Sequence, residues 1–120
     1  MMGNMRKYSK EQEERVAKLL RGRVVANSGA TPFHKGDVMT KCFLIECKTK
    51  ATESDSITIK KDWILKNKDE AFSMGKQASA LAISFADGQD YFVISKGLMQ
   101  LLVDVFEEEC EYYATTSEQV

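Results

Sequence analysis

Asp37, Glu46 and Lys48 are three ionisable side chains within one short stretch, GDVMTKCFLIECK (residues 36–48), whose composition reads as a β-hairpin. Glu46 and Lys48 stand two apart in an alternating run, so on a strand they share one face while Phe43, Ile45 and Cys47 take the other. A strand that begins at Asp37 and pairs back on this run brings Asp37 beside Glu46. Two carboxylates that close in a largely apolar sheet repel each other and resist ionising unless a positive charge sits between them. A divalent cation is the natural occupant, with Lys48 beside it.

Asp, a short strand and then Glu-x-Lys resembles the signature of the PD-(D/E)XK nuclease superfamily. Upstream, Glu14-Arg15-Val16-Ala17 in a predicted helix and Asn27-Ser28-Gly29-Ala30 in a loop follow the order seen in archaeal-type Holliday junction resolvases and their small phage relatives. The likeness covers about two thirds of the chain by motif and the rest by element order. It implies an α/β fold with a restriction-endonuclease-like core, a mixed central β-sheet flanked by helices. It also implies a metal-dependent endodeoxyribonuclease of DNA recombination, a homodimer that hydrolyses phosphodiester bonds in a branched or four-way junction. Under that likeness Asp37, Glu46 and the backbone carbonyl of Cys47 hold Mg²⁺, with Mn²⁺ as a substitute, and Glu14 joins them at the metal, with Glu13 the next candidate. Lys48 orients the attacking water or stabilises the transition state, and Ser28 lies near the scissile phosphate. The alternatives are a phage-type nicking, flap or general endonuclease of the same superfamily, and a catalytically inactive DNA-binding module. A further rival is a non-nucleic-acid α/β domain in which the triad is a surface salt bridge worth little. Asp37 and Glu46 stand closer in sequence than in many resolvases, implying a shorter hairpin.

The elements that must position these groups follow from pattern and punctuation. Ser9 reads as the cap of a first helix, with Gln12 reciprocating, and the helix runs to about Arg21 on the apolar stripe Val16, Ala17, Leu19 and Leu20 before Gly22 ends it. Arg23 to Ala26 reads as a strand. Residues 27–36 hold two glycines and the single proline and form a loop, in which Ser28, Thr31, His34 and Lys35 are the polar groups nearest Asp37. Residues 49–56 are a polar excursion, and Ile57 to Ile59 a short strand or the lead-in to a helix. Lys60 to Lys76 is a helical pattern with Trp63, Ile64, Ala71 and Phe72 apolar, and Lys60 and Lys61 are its leading candidates for contact with DNA phosphates. Two strands, Leu81 to Ala86 and Tyr91 to Ser95, meet at an Asp87-Gly88 turn. A last helix led by Gly97 carries Leu98, Leu101, Leu102, Val105 and Phe106, a stripe that reads as core packing and is also available, with Tyr112 and Tyr113, for dimerisation. Residues 114–120 read as a frayed tail.

Composition sets the outer bounds. The 120 residues suit one domain, 1–120, and the 43% apolar content with one proline argues for an ordered fold. No apolar run is long enough to span a membrane and no secretory signal is legible, so the expected location is the cytoplasm of a bacterium, an archaeon or a virus-infected host. Three cysteines read as reduced core thiols, and a zinc site from His34, Cys42 and Cys47 fails because Cys42 and Cys47 face opposite sides of one strand. The net charge of −1 conceals a division: residues 1–76 carry sixteen Lys/Arg against ten Asp/Glu, net +6, while residues 77–120 carry one lysine against eight acids, net −7. A basic surface around the triad is therefore compatible with phosphates.

Overall fold

The computed structural model describes residues 2–26 and 37–110, with side chains from residue 5 onward. In chain order the elements are α1 (Met2–Leu20), β1 (Arg23–Val24), β2 (Val38–Met39), β3 (Phe43–Thr49), α2 (Lys61–Ser73), β4 (Ala78–Ser84), β5 (Tyr91–Val93) and α3 (Lys96–Glu108). The five strands form one mixed sheet in the order β1-β2-β3-β4-β5, antiparallel throughout except for the parallel pair β3 and β4, which α2 joins as a crossover. The fold is an α/β domain with three helices.

The central strands explain the layering. Leu44, Ile45, Leu81, Ala82 and Ile83 are buried on both faces of the sheet, as the near-continuous apolar runs of β3 and β4 require of a parallel pair. On one face Val16 and Ala17 of α1 pack into a cluster with Val38, Ile45, Ala80 and Ala82, and Phe43 and Cys47 lean against it. On the other, Ala71 of α2 is buried, and Asn67 donates its amide to the carbonyls of Leu44 (3.2 Å) and Ala80 (3.1 Å). Glu46 and Lys48 lie on this α2 face. The β2–β3 connection is only residues 40–42, the short hairpin that the close Asp37–Glu46 spacing implied.

Several elements depart from the sequence reading. α1 begins at Met2, so Ser9 lies inside the helix and Gln12 is not its capping partner. Met5, Arg6 and Lys7 are good helix formers and carry the helix back past Ser9 despite Gly3 and Asn4. The first strand stops at Val24, residues 57–59 take no regular structure, and α2 ends at Ser73. That stop has a local cause: Gly75, at φ 73°, closes the helix, with its own N–H on Phe72 and the Lys76 N–H on Ala71. α3 is capped by Ser95, whose hydroxyl accepts the Leu98 N–H at 3.1 Å, and no residue of it is buried. Its stripe is therefore not core packing: Leu101, Leu102, Val105 and Phe106 are all exposed. The first turns of α3 line a cleft with the end of α2 and the start of β4, where Leu98 and Leu101 stand with Ala71 and Phe72. Cys42, Cys47 and Cys110 are free thiols, and Cys110 is exposed rather than in the core. Among the described residues no helix is long and apolar enough to cross a membrane.

The end of α1 carries a testable constraint. The residue in left-handed backbone is Arg21 (φ 57°), and the Gly22 N–H reaches back to the Ala17 carbonyl at 2.8 Å. Gly22 is needed for another reason: a Cβ there would stand 2.4 Å from the carbonyl oxygen of Met39 on β2. Gly22→Ala must push the helix off the strand and is expected to lower stability by about 2 kcal/mol. Thermal unfolding reads this, and an unchanged midpoint would show that helix and strand can part freely.

Candidate functional site

Asp37 occupies the residue before β2, where strand pairing runs out. Its backbone N–H donates to the Ile45 carbonyl (3.0 Å) and its Oδ2 accepts the Cys47 N–H (2.7 Å), so the side chain continues the ladder in place of a backbone carbonyl. Those two bonds straddle Glu46. A short charge-assisted bond of this kind fixes the carboxylate at that point of the sheet. Glu46 itself is 7% exposed, held inward by the alternation of β3 between neighbours on β2 and β4.

Lys48 is oriented from two directions. Its Nζ lies 3.5 Å from Glu46 Oε1 and 4.6 Å from the centre of the Trp63 ring, on α2. The ring face attracts the ammonium and its apolar body limits the ammonium's hydration. Glu46, Lys48, Asp62, Trp63, Lys66 and Asn67 line an open cleft of about 370 Å³ between β3 and α2. Lys60, the residue before α2, sits with its Nζ 5.9 Å from the same ring, and Lys61 is exposed in the first turn. Trp63 was read from the sequence only as an apolar helix residue. Its pairing with Lys48 joins positions fifteen apart across two layers, which no local pattern reports.

The α1 side of β3 brings in further carboxylates. Burial pushes the Cys47 thiol well above its ordinary range, and the negative charges of Asp37, Glu13, Asp90 and Glu46 push it further. The thiol stays protonated. Glu13 is half-buried at the margin of the helix, whereas Glu14 is exposed. Each helical residue turns about 100°, and the phase set by Gln12, Val16 and Ala17 carries Glu14 to the solvent side. Gln12 is 1% exposed and donates to the carbonyls of Lys48 (3.2 Å) and Ala82 (3.0 Å) and to Asp90 Oδ1 (3.3 Å). Arg15 grips Asp90 with two bonds of 2.6 and 2.9 Å, which hold its guanidinium protonated even more firmly than usual. Gln12 stands four residues before Val16, a spacing that signals its burial.

The structure thus brings together Asp37, Glu46, Cys47 and Lys48, with Glu13 near and Glu14 turned away. Ser28 and Lys35, with His34, lie outside the described residues. Among the described residues no group of three or more His, Cys, Asp or Glu side chains is gathered to hold a metal ion, and the donors to weigh are the Asp37 and Glu46 carboxylates, on facing positions where the register of β2 and β3 is continued by one residue, with the Cys47 carbonyl. That donor set fits Mg²⁺, which commonly takes one or two carboxylates and completes its shell with water and substrate phosphate. The cleft carries both charge signs, Lys48 and Lys66 beside Glu46 and Asp62, so a phosphodiester entering it would meet the lysine ammonium groups. Searches against protein-family models, curated proteins and solved structures find no match.

Proposed function

We propose that this chain is a Mg²⁺-dependent, structure-selective DNA endonuclease with a restriction-endonuclease-like core, acting on four-way junctions as a homodimer. The carrying observation is the convergence of Asp37, Glu46 and Lys48 around Cys47, with the Asp37 carboxylate anchored by the Cys47 N–H and the Lys48 ammonium held between Glu46 and Trp63. The element order supports it: a helix, a short antiparallel hairpin, the long strand carrying Glu46 and Lys48, then a crossover to a parallel partner.

Asp37, Glu46 and the Cys47 carbonyl are the ligands in this reading. When bound, Mg²⁺ supplies a water of lowered pKa and charge neutralisation at the phosphate, and Mn²⁺ can replace it. Lys48 then presents a positive charge where negative charge develops on the phosphoryl oxygens, with no reorganisation at the moment of reaction. Glu13 rather than Glu14 is the helix carboxylate nearest this chemistry. Lys60 and Lys61 stand at the amino end of α2, where the helix dipole also favours phosphate. Ser28 and Lys35 remain the loop candidates for phosphate contact. The exposed apolar face of α3 favours a second protomer, so that two sites meet the two continuous strands of a junction.

Incubation of the protein with a labelled four-way junction and a matched linear duplex tests the substrate. Paired, symmetric nicks on the junction alone are expected. Cleavage of both substrates, from a protein whose mass in solution is that of one chain, would move the function to a nicking or general endonuclease of the same superfamily. Binding of both without cleavage would leave a DNA-binding module.

A further inference from the structure

At the opposite end of β3 from Lys48, a second cleft of about 350 Å³ opens between the end of α1 and the β2–β3 turn, lined by Arg21, Gly22, Arg23, Met39, Thr40, Lys41 and Lys76. Four of these seven residues are cationic, and among the described residues lining it none is acidic. Their positions are fixed by structure rather than by flexible reach alone. Arg21 sits at the left-handed closing residue of α1, and Arg23 rests its Nε on the Met39 sulfur at 3.3 Å. Lys76 donates its ammonium to the carbonyls of Thr40 (2.8 Å) and Lys41 (3.3 Å). Those carbonyls would otherwise present negative partial charge to an incoming anion. Neutralised by Lys76, they leave Arg21, Arg23 and Lys41 as an exposed cationic face.

We infer that this cleft is a second phosphate-binding surface, which grips the sugar–phosphate backbone of a duplex arm away from the site of cleavage. The inference rests on the endonuclease reading for its ligand and adds where the arm runs. Lys41 precedes Glu46 by five residues, and at about 3.3 Å per residue the two are roughly 16 Å apart. That separation exceeds the reach of one side chain, so the cleft meets backbone phosphates other than the scissile one. Guanidinium groups suit this task, since their planar forks bind phosphate oxygens bidentately. Contacts of this kind position a duplex without reading its sequence.

Equilibrium binding of a labelled duplex, followed by fluorescence anisotropy in EDTA, tests the cleft without any dependence on cleavage. The double variant Arg23→Glu/Lys41→Glu is compared with Lys7→Glu/Lys10→Glu, an equal change of charge at exposed positions on α1. The cleft variant is expected to lose roughly tenfold or more in affinity, and its salt dependence to become shallower by about two phosphate contacts, well beyond the control. In cleavage, KM rises while the rate at saturating DNA is kept. Equal losses in the two variants would overturn the cleft, since only net charge would then matter, and so would unchanged binding in both. A wild type that binds no duplex also overturns it. Junction cleavage by that same protein distinguishes this failure from failure of the endonuclease reading. Both substitution pairs are exposed, and an unfolding midpoint matching wild type identifies an effect on binding rather than on folding.

Discussion

Asp37→Asn and Glu46→Gln are each expected to slow DNA cleavage by about a hundredfold or more while leaving DNA affinity within a few-fold of wild type. Both substitutions keep shape and hydrogen-bonding capacity. In Asp37→Asn the amide oxygen can still accept the Cys47 N–H, so the end of the β2–β3 ladder survives, with a charge-assisted bond weakened to a neutral one at a cost of about 1 kcal/mol. What is lost is negative charge at the point where a hard cation is to be held. Glu46→Gln also takes the charge from the partner of Lys48 3.5 Å away, leaving a neutral amide oxygen and the Trp63 ring beside the ammonium. Single-turnover cleavage beside a binding isotherm separates the two effects. Wild-type cleavage by either variant would remove that carboxylate from the chemistry.

The second large effect concerns the support of the site from the α1 side. Gln12→Ala is expected to lower stability by about 3 kcal/mol, because the carbonyls of Lys48 and Ala82 lose a buried donor and a cavity opens beneath β3 and β4. Gln12→Met keeps most of the volume and removes only the hydrogen bonds, so a loss of about 1–2 kcal/mol is expected from it. Asp90→Ala strands the Arg15 guanidinium and removes one acceptor from Gln12, with an expected cost of about 2 kcal/mol. Urea unfolding measures all three. Because Gln12 and Asp90 share a contact, the double variant should cost less than the sum of the singles. Strict additivity would mean that the two residues act apart.

The site's own strand was legible because alternation in β3 is strong: Ile45 inward toward α1, Glu46 and Lys48 to the other face, Cys47 back again. The hairpin before it and the turn near Asp87 were legible from short spacing and turn residues. The helix carboxylate was not, since the choice between Glu13 and Glu14 is a matter of one 100° step around α1, and the phase is fixed by the burial of Gln12, which the sequence offered as a cap. The fate of α3 was hidden for a different reason. An amphipathic stripe says which face is apolar and nothing of whether a surface is left to cover it, and here Leu101, Leu102, Val105 and Phe106 stay exposed. Trp63 beside Lys48, and Arg21, Arg23, Lys41 and Lys76 around one cleft, are meetings of distant segments that only the tertiary fold reveals.

The central claim is that Lys48 and the paired carboxylates hydrolyse DNA with the help of a divalent cation. Its most direct test is cleavage of a four-way junction across a Mg²⁺ titration and in EDTA, with wild type and Lys48→Met run in parallel and binding read on the same samples. The expected result is wild-type cleavage that rises with Mg²⁺ and vanishes in EDTA, and a Lys48→Met protein that binds the junction without cutting it. Cutting by Lys48→Met at the wild-type rate, or wild-type cutting undiminished in EDTA, would contradict it.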